Sequence, residues 1–169
     1  VNKQEKYLNI TRDTGELLAI LIKACKCSDI LEIGTSNGYS TLWLASSIGE
    51  NGKVITVDIS AKKLAMAKNN LQLANLQHKV DFIHADFLAF IKGNQRQYDL
   101  VFLDADRTQY LSVEKEIISA IKPGGLLICD NAISHSQELA AFIAKIKSNP
   151  DFTCSMVSVG KGEFIAVKA

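Results

Sequence analysis

The sequence predicts an α/β protein with one doubly wound, mostly parallel sheet of seven strands that ends in an antiparallel hairpin. Three observations predict this fold. Short apolar runs alternate five times with helical patterns, as in the strand–helix units of a parallel sheet. An acidic residue lies at or just past the end of each of these runs, which marks the ligand-binding edge of such sheets. The last two runs are joined by Gly160-Lys161-Gly162, a link short enough for a hairpin.

Length and composition are those of a single globular domain covering residues 1–169, with 47% hydrophobic and 22% charged residues. The net charge of +1 gives no indication of a nucleic-acid partner. No apolar run approaches the ~20 residues of a membrane span, and the polar start does not fit a signal peptide. We therefore expect a cytoplasmic protein with no membrane association. Free thiols in a reducing compartment are the expectation for the four cysteines, at positions 25, 27, 129 and 154.

The predicted elements follow one another without a repeat or a linker. Residues 1–9 are polar and expected to be loose. Asp13-Thr14-Gly15-Glu16 fits a capping box, which would start a helix ending near Cys25. Further helices are predicted at 39–48, 61–74, 88–92, 111–121 and from Ser134 or Ser136 to 147. Strands are predicted at 30–33, 53–58, 80–84, 98–104, 126–130, 152–159 and 163–167. Pro123-Gly124-Gly125 is the predicted stop signal of the fifth helix.

The first strand and the turn after it carry the strongest functional signal. The apolar run ends in Glu32, and Gly34 and Gly38 allow the backbone to turn sharply and approach a ligand. The helix that starts at Tyr39 would point its free N–H groups at the turn, which favours a carboxylate or phosphate. Glu32 suits a cationic or hydroxyl-bearing group instead. The two together suit an amino acid joined to a nucleoside.

The order Glu-x-Gly-x-x-x-Gly resembles the first motif of the S-adenosylmethionine (SAM)-dependent methyltransferases with a Rossmann-like fold. With Gly38-Tyr39-Ser40 it is similar to the small-molecule O-methyltransferase family that includes catechol and caffeoyl-CoA O-methyltransferases. The resemblance implies SAM as cofactor and a small catechol-like methyl acceptor as substrate. It is also compatible with a homodimer. The cofactor-binding residues that we predict are Glu32, Gly34, Thr35, Ser36, Gly38, Tyr39, Ser40, Asp58, Ile59, Asp86, Phe87, Asp104, Asp106 and Tyr110.

Several of these positions also have a simpler interpretation. An acid at the end of the second strand is the usual partner of ribose hydroxyls, but Asp58 or Ser60 can equally cap the next helix. In the family the third strand end lines the adenine ring, where Asp86 would accept from the exocyclic amine and Phe87 would cover the ring. Asp86 can also be a helix cap.

Asp104, Asp130 and Asn131 are predicted to meet at two neighbouring strand ends. Two carboxylates and an amide oxygen are hard ligands that suit Mg²⁺ or Ca²⁺. In the resembling family the matching residues bind a divalent metal that holds the acceptor and lowers the pKa of its hydroxyl group. The simpler alternative is that Asp104 contacts only the cofactor and that Asp130 and Asn131 form an Asx turn.

The predicted catalytic residues are Asp104 and Arg107. The family's usual lysine is Arg107 here, and an arginine orients groups or stabilises an oxyanion but cannot act as a base. The loop after Asn131 is shorter than in the family, so a larger acceptor would fit. Both departures motivate an alternative, a catalytically silent SAM-binding sensor or interaction domain.

Two other enzyme classes fit the first turn less well. Gly34-Thr35-Ser36-Asn37-Gly38 matches the G-x-S-x-G nucleophile elbow of α/β-hydrolases, with Asp104 or Asp130 and then His135 in triad order. That elbow normally follows several strands, whereas only one helix precedes it here. A dinucleotide dehydrogenase would need G-x-G-x-x-G, a different spacing. A turn without any ligand would leave the acid at the strand end unexplained.

Overall fold

The computed structural model describes residues 9–169, so most of the segment expected to be loose, residues 1–8, lies outside the described part. Within it all seven predicted strands are present, and the fifth strand starts five residues earlier than predicted. They are β1 (Asp29–Ile33), β2 (Lys53–Asp58), β3 (Val80–His84), β4 (Tyr98–Leu103), β5 (Ile121–Cys129), β6 (Phe152–Val157) and β7 (Glu163–Lys168).

The strands form one sheet in the order β3-β2-β1-β4-β5-β7-β6. The first five are parallel, whereas β7 is antiparallel to both β5 and β6. The chain reverses its winding direction between β1 and β4, which are neighbours, and this is the place where open α/β sheets bind ligands. The predicted doubly wound sheet with a C-terminal hairpin is confirmed.

Six α-helices cover the two faces of the sheet in the described part of the chain. They are α1 (Arg12–Ala24), α2 (Tyr39–Ser47), α3 (Ala61–Leu73), α4 (Phe87–Gly93), α5 (Glu114–Ser119) and α6 (Ser136–Lys147). Short 3₁₀ helices span Gln77–Lys79 and Arg107–Val113. None of the helices between residues 9 and 169 is long and apolar enough to cross a membrane.

The core has two layers because alternate strand residues point to opposite faces. Ile30 packs with Leu18 of α1 and Leu44 of α2, whereas Leu31 packs in the opposite layer with Tyr110 and Phe142. All six side chains are at most 1% exposed. Burying each of them stabilises the fold by roughly 1.5–3 kcal/mol before entropy is counted. The two layers hold the strand ends rigidly in register.

The predicted start of α1 is wrong by two residues. The N-cap is Thr11, whose side chain accepts a hydrogen bond from the Thr14 backbone N–H at 3.2 Å, and Asp13 lies within the first turn. Thr and Asp are both common N-cap residues, so the sequence alone does not decide between Thr11 and Asp13. With Thr11 as the cap, Asp13 lies in the first turn, where an acid interacts favourably with the helix dipole.

The region between 107 and 125 also differs from the prediction. The single helix expected over 111–121 is a 3₁₀ helix followed by the short α5, and β5 already begins at Ile121. Pro123-Gly124-Gly125 therefore lies inside β5 and does not follow a helix. A register shift against β4 between Tyr98 and Leu100 accommodates this segment, and Gly124 adopts φ +77°. This irregularity in β5 depends on its pairing with β4, which local sequence does not encode.

Candidate functional site

A pocket of about 420 Å³ opens at the carboxyl edge of the sheet, where β1, β2 and β4 end. Its wall combines apolar residues with several acids, as in sites for polar small molecules. The lining residues are Ile33, Gly34, Ser36, Val57, Asp58, Ile59, Lys63, Ala85, Asp86, Phe87, Asp104, Ala105, Asp106, Arg107 and Gln109. Lys63 and Gln109 were not predicted, since only the fold brings their helical segments to this edge.

The β1–α2 turn forms one wall and requires glycine at its first position. Gly34 has φ +101°, and a Cβ atom there would lie 2.2 Å from the carbonyl oxygen of Asp104. The Gly34 N–H donates to the Val57 carbonyl at 2.9 Å. Gly34 therefore allows the ends of β1, β2 and β4 to approach one another.

Asp58 ties two turns together at the end of β2. One carboxylate oxygen accepts from the Ser36 N–H at 2.9 Å, and the other accepts from the Ser60 N–H at 2.8 Å. The side chain of Ser60, and not that of Asp58, caps α3 by accepting from the Lys63 N–H. A carboxylate has about four acceptor positions, so Asp58 retains capacity for ligand hydroxyl groups in the pocket.

The hydroxyl group of Ser36 is buried and lacks a hydrogen-bond partner among residues 9–169. A buried hydroxyl without a partner is costly, and this one belongs to a residue of the pocket wall. A polar group of a ligand in the pocket would satisfy it.

The hydrolase alternative is not supported by this geometry. The imidazole Nδ1 of His135 lies 2.9 Å from the hydroxyl of Ser134, and within the described chain no base is hydrogen-bonded to the hydroxyl of Ser36. A serine nucleophile needs a base within hydrogen-bonding reach.

Glu32 is fully buried beneath the pocket and is not among the residues that line it within the described range. Its oxygens accept from the hydroxyls of Ser40 at 2.5 Å, Thr41 at 2.5 Å and Thr56 at 2.6 Å. Burial raises the pKa of the Glu32 carboxyl group to about 7, against the hydrogen bonds, which lower it. Through these hydrogen bonds Glu32 joins β1 to α2 and β2 and so stabilises the β1–α2 turn.

Other predicted contacts from the same motif also lie behind the pocket wall. Thr35 is fully buried, 2.6 Å from the hydroxyl of Thr56. Gly38 has φ +85°, and a Cβ atom there would lie 2.9 Å from Cβ of Ala67 in α3. Gly38 directly precedes Tyr39, the first residue of α2. This placement shows packing roles for the motif; cofactor contact by these residues stays a prediction.

Beyond β3 the pocket has an apolar side. Phe87 and the 69% exposed Ile59 line it together with Asp86. Asp86 is also the N-cap of α4, since it accepts from the Ala89 N–H at 3.0 Å. The cap and a ligand contact are compatible, because a flat apolar surface with an acceptor at its edge suits an adenine ring.

After β4, Asp106 lines the pocket but Tyr110 does not. Asp106 accepts from the backbone N–H and the hydroxyl of Thr108 at 3.1 and 2.6 Å. Tyr110 is fully buried, its hydroxyl accepts from the Ala105 N–H at 2.7 Å, and its ring packs edge-on against Phe87. Tyr110 therefore holds Ala105 at the pocket wall, and its predicted packing on the cofactor stays a prediction.

Asp104, Asp130 and Asn131 meet as predicted. The side-chain amide of Asn131 donates to Asp104 at 3.2 Å and to Asp130 at 2.7 Å. Asn131 adopts φ +64°, and its backbone N–H donates to the carboxylate of the preceding Asp130 at 2.7 Å. An Asx turn would instead join the Asp130 carboxylate to the N–H two residues on. Burial and the nearby Asp130 carboxylate raise the pKa of Asp104 well above its usual value.

This cluster contains the hard oxygen donors that a divalent cation prefers. Rotation of the Asn131 amide would present its oxygen instead of its nitrogen, and a cation would offset the repulsion of the two buried carboxylates. Within residues 9–169, however, no three side chains of His, Cys, Asp or Glu are arranged to hold a metal ion. Any cation here would therefore depend on Asn131, the acceptor or water for further ligands.

Arg107 lies between the cluster and α6. Its guanidinium group is 3.8 Å from the carboxylate of Asp104 and 3.9 Å from that of Glu138. Its Nε is buried without a partner among the described residues. A fixed cation of this kind orients anionic groups, in line with the predicted non-base role.

Glu163 at the start of β7 was not predicted to belong to the site. It is fully buried, lies level with Asp130 because Phe164 pairs with Cys129, and accepts from the hydroxyl of Thr14 at 2.9 Å. Burial and the Asp130 carboxylate raise the pKa of Glu163 far above its usual value. An acid at a strand start is unremarkable in sequence, so its partners become visible only in the fold.

Comparison with known proteins identifies the family. A sequence model described as O-methyltransferase matches residues 1–169. A catechol O-methyltransferase from Niastella koreensis is 30% identical, over 78% of this chain and 62% of that protein. A caffeoyl-CoA O-methyltransferase from Medicago sativa is also 30% identical, over 79% of this chain and 56% of that protein. The chain thus spans less than two thirds of the length of these two relatives.

A solved structure agrees with the sequence comparison. The O-methyltransferase from Bacillus cereus in complex with S-adenosylhomocysteine (SAH) superposes with a TM-score of 0.85 at 26% identity, over 95% of this chain and 83% of that one. With this fold, this pocket and a family match over its whole length, the chain belongs to the SAM-dependent O-methyltransferase family.

Proposed function

We propose that the chain transfers the methyl group of SAM to a hydroxyl oxygen of a small catechol-like acceptor, and that a divalent cation held by Asp104, Asp130 and Asn131 assists the transfer. The single observation that carries this proposal is the position of Asp104. It lines the cofactor pocket and is also hydrogen-bonded to Asn131 of the acidic cluster. One residue therefore connects the place of the cofactor with the place of the acceptor.

The pocket supports SAM as the occupant through the chemistry of its two ends. Asp58 offers acceptors for ribose hydroxyls, and Asp86 with Phe87 suits the adenine. Ser36 supplies a buried hydroxyl without a protein partner in the described chain, at the end expected to hold the amino-acid part. The caffeoyl-CoA and catechol enzymes among its relatives support a small hydroxylated acceptor.

In this mechanism the protein contributes mainly orientation. Bound SAM would supply an electrophilic methyl group, and a bound divalent cation would supply a Lewis acid that lowers the pKa of the acceptor hydroxyl. Asp104, Asp130 and Asn131 would fix the oxygen that attacks, while Arg107 stabilises negative charge beside it. Alignment of the two reacting groups accounts for several powers of ten in rate in comparable reactions.

A screen of hydroxylated acceptors with methyl-labelled SAM, with and without Mg²⁺, tests the proposal. We expect transfer to catechol-like acceptors that depends on Mg²⁺. Absence of transfer to every acceptor, with SAH binding intact, would favour the silent sensor domain. Transfer that is unaffected by a chelator would support the methyltransferase activity and exclude a role for the metal. A cytoplasmic location and a homodimer stay predictions.

A further inference from the structure

We propose that Asn70 of α3 is a positioning residue for the cofactor: its side-chain amide holds the β1–α2 turn so that the buried hydroxyl of Ser36 is available to the amino-acid part of SAM. This inference rests on the proposed placement of SAM in the pocket, and it does not depend on a metal ion. Asn70 is not among the described residues that line the pocket. The inference therefore adds a helix behind the pocket wall to the groups that determine cofactor affinity.

Ser36 has a strained backbone in the β1–α2 turn. Its φ of +49° lies in the left-handed region, which is unfavourable for a serine. The Gly38 N–H donates to the Thr35 carbonyl at 2.9 Å, so Ser36 and Asn37 are the central residues of a β-turn. Such a conformation persists only where the surrounding structure fixes it, and it is commonly found at ligand-binding positions.

Two side chains from outside the turn fix the peptide groups on either side of its central residues. On one side, the Ser36 N–H donates to the carboxylate of Asp58 at 2.9 Å. On the other side, the Asn37 carbonyl accepts from the side-chain amide of Asn70 at 2.9 Å. The strained residue is thus held between β2 and α3, and removal of either hydrogen bond would give the turn freedom to change.

The helix α3 can act on the turn because it packs directly against it. A Cβ atom at Gly38 would lie 2.9 Å from Cβ of Ala67 and 3.1 Å from Cδ2 of Leu71. Ala67 and Leu71 have no exposed surface. Asn70 follows Ala67 by three residues and therefore lies on the same face of the helix. The amide of Asn70 and the packing of its neighbours thus act on the same turn.

The hydroxyl of Ser36 is the group that this arrangement presents to a ligand. It is buried without a hydrogen-bond partner among residues 9–169, and Ser36 lines the pocket. Glycine would form the same turn at lower cost, since it adopts positive φ freely. A strained serine with an unsatisfied hydroxyl instead fits a ligand that hydrogen-bonds to it. A hydroxyl both donates and accepts, so the carboxylate and the ammonium group of the amino-acid part are both suitable partners.

Isothermal titration calorimetry of the full chain with SAH and with methylthioadenosine tests the proposal. Methylthioadenosine keeps the adenosine part but lacks the amino-acid part. Asn70→Ala removes the amide that holds Asn37, and we expect SAH affinity to fall about 3–10-fold, the usual effect of one hydrogen bond. Methylthioadenosine affinity should stay within about twofold, because Asp58, Asp86 and Phe87 line the part of the pocket proposed for adenosine.

Asn69→Ala is the matched control, because Asn69 is the exposed neighbour of Asn70 in the same helix. It should bind both ligands as the wild type does. Asn70→Asp keeps the shape of the side chain but offers no N–H group, so it should show the same selective loss of SAH affinity as Asn70→Ala. Melting curves of all variants establish that the chain is folded at the temperature of the titration.

A double-mutant cycle measured with SAH alone links Asn70 to Ser36, and it decides the question even if methylthioadenosine does not bind. Ser36→Ala removes the hydroxyl and should lower SAH affinity about 3–10-fold. We expect the addition of Asn70→Ala to lower it by less than about twofold further, because the group that Asn70 positions is then already absent. Two independent effects would multiply.

The outcomes are distinct. Equal losses of SAH and methylthioadenosine affinity in Asn70→Ala, or losses that multiply in the cycle, would overturn the positioning role and leave the proposed function intact. Wild-type SAH affinity in Asn70→Ala would overturn it as well. A wild-type protein that binds neither SAH nor methylthioadenosine would contradict the proposed cofactor pocket and this inference with it.

Discussion

At the end of β1, Glu32 accepts hydrogen bonds from three hydroxyl groups of Ser40, Thr41 and Thr56 and has no exposed surface. The sequence correctly marked this acid as unusual but could not tell whether it faces the ligand. The direction in which the Glu32 carboxylate points depends on the hydroxyl groups of α2 and β2, and only the fold brings these groups together. The same holds for Asp58, whose partners are two backbone N–H groups on separate turns.

Stability of the fold should depend on pH through Glu32. Its pKa rises from 4.5 to about 7 on folding, so the folded state holds an extra proton between these values. Its contribution is therefore fully present below about pH 4.5 and is lost as pH rises through 7. The difference in unfolding free energy between wild type and Glu32→Gln should change by on the order of 3 kcal/mol between pH 4.5 and about pH 7.

Urea unfolding of both proteins between pH 4 and 8 measures this difference. Parallel pH profiles for wild type and Glu32→Gln would show that Glu32 does not take up a proton on folding. Glu16→Gln is a suitable control, because the side chains of Glu16 and of its ion-pair partner Arg12 are 48% and 78% exposed.

Asp58 should be the acid that matters most for the cofactor. We expect Asp58→Ala to weaken SAH binding by about 1–3 kcal/mol, the usual effect of leaving buried polar partners unsatisfied. Isothermal titration calorimetry gives the affinity, and a melting curve confirms that the turns at Ser36 and Ser60 remain folded. Asp81→Ala, which changes an exposed residue of β3, should bind as wild type does. Unchanged affinity in Asp58→Ala would mean that the side chain only joins the two turns.

At the level of elements, the sequence predicted those whose signals are local. β2 and β3 have the predicted bounds because each is an apolar run closed by polar residues. β5 was predicted to start at Leu126 instead of Ile121, since its bulge depends on pairing with β4. The N-cap of α1 was missed because Thr11 and Asp13 offered competing signals.

The β1–α2 turn should not tolerate a side chain at its first glycine. Gly34→Ala would place a methyl group 2.2 Å from the Asp104 carbonyl at φ +101°, so β1 and β4 must separate or the turn must change. We expect a loss of about 3 kcal/mol in unfolding free energy and a weaker affinity for SAH. Gly49→Ala is the matched control, since a Cβ atom there has no neighbour within 4 Å. Equal stability of the two variants in urea would show that the turn is adaptable.

Across the whole molecule, one edge of one sheet holds two adjacent regions. The ends of β1, β2 and β4 enclose the pocket, while the ends of β4 and β5 carry the acidic cluster. Parallel pairing predicted this meeting from sequence alone, because consecutive acids follow neighbouring strands. The contribution of β7 could not be predicted, since Glu163 reaches the cluster only through the antiparallel hairpin. β4 is the strand common to both regions.

This division predicts that cofactor binding and metal dependence can be separated by mutation. Asp130→Ala should lose most of its turnover and its response to Mg²⁺ while SAH affinity stays within about twofold, because Asp130 is not among the described residues of the pocket wall. Asp104→Ala should lower both, since Asp104 lines the pocket and contacts Asn131. Asp151→Ala, at an exposed position before β6, is the control. The assay is transfer of labelled methyl groups with Mg²⁺ or with chelator, beside calorimetry with SAH. Wild-type turnover in chelator, together with full activity of Asp130→Ala, would exclude the metal, and the reaction would then depend on orientation by Arg107 and the pocket.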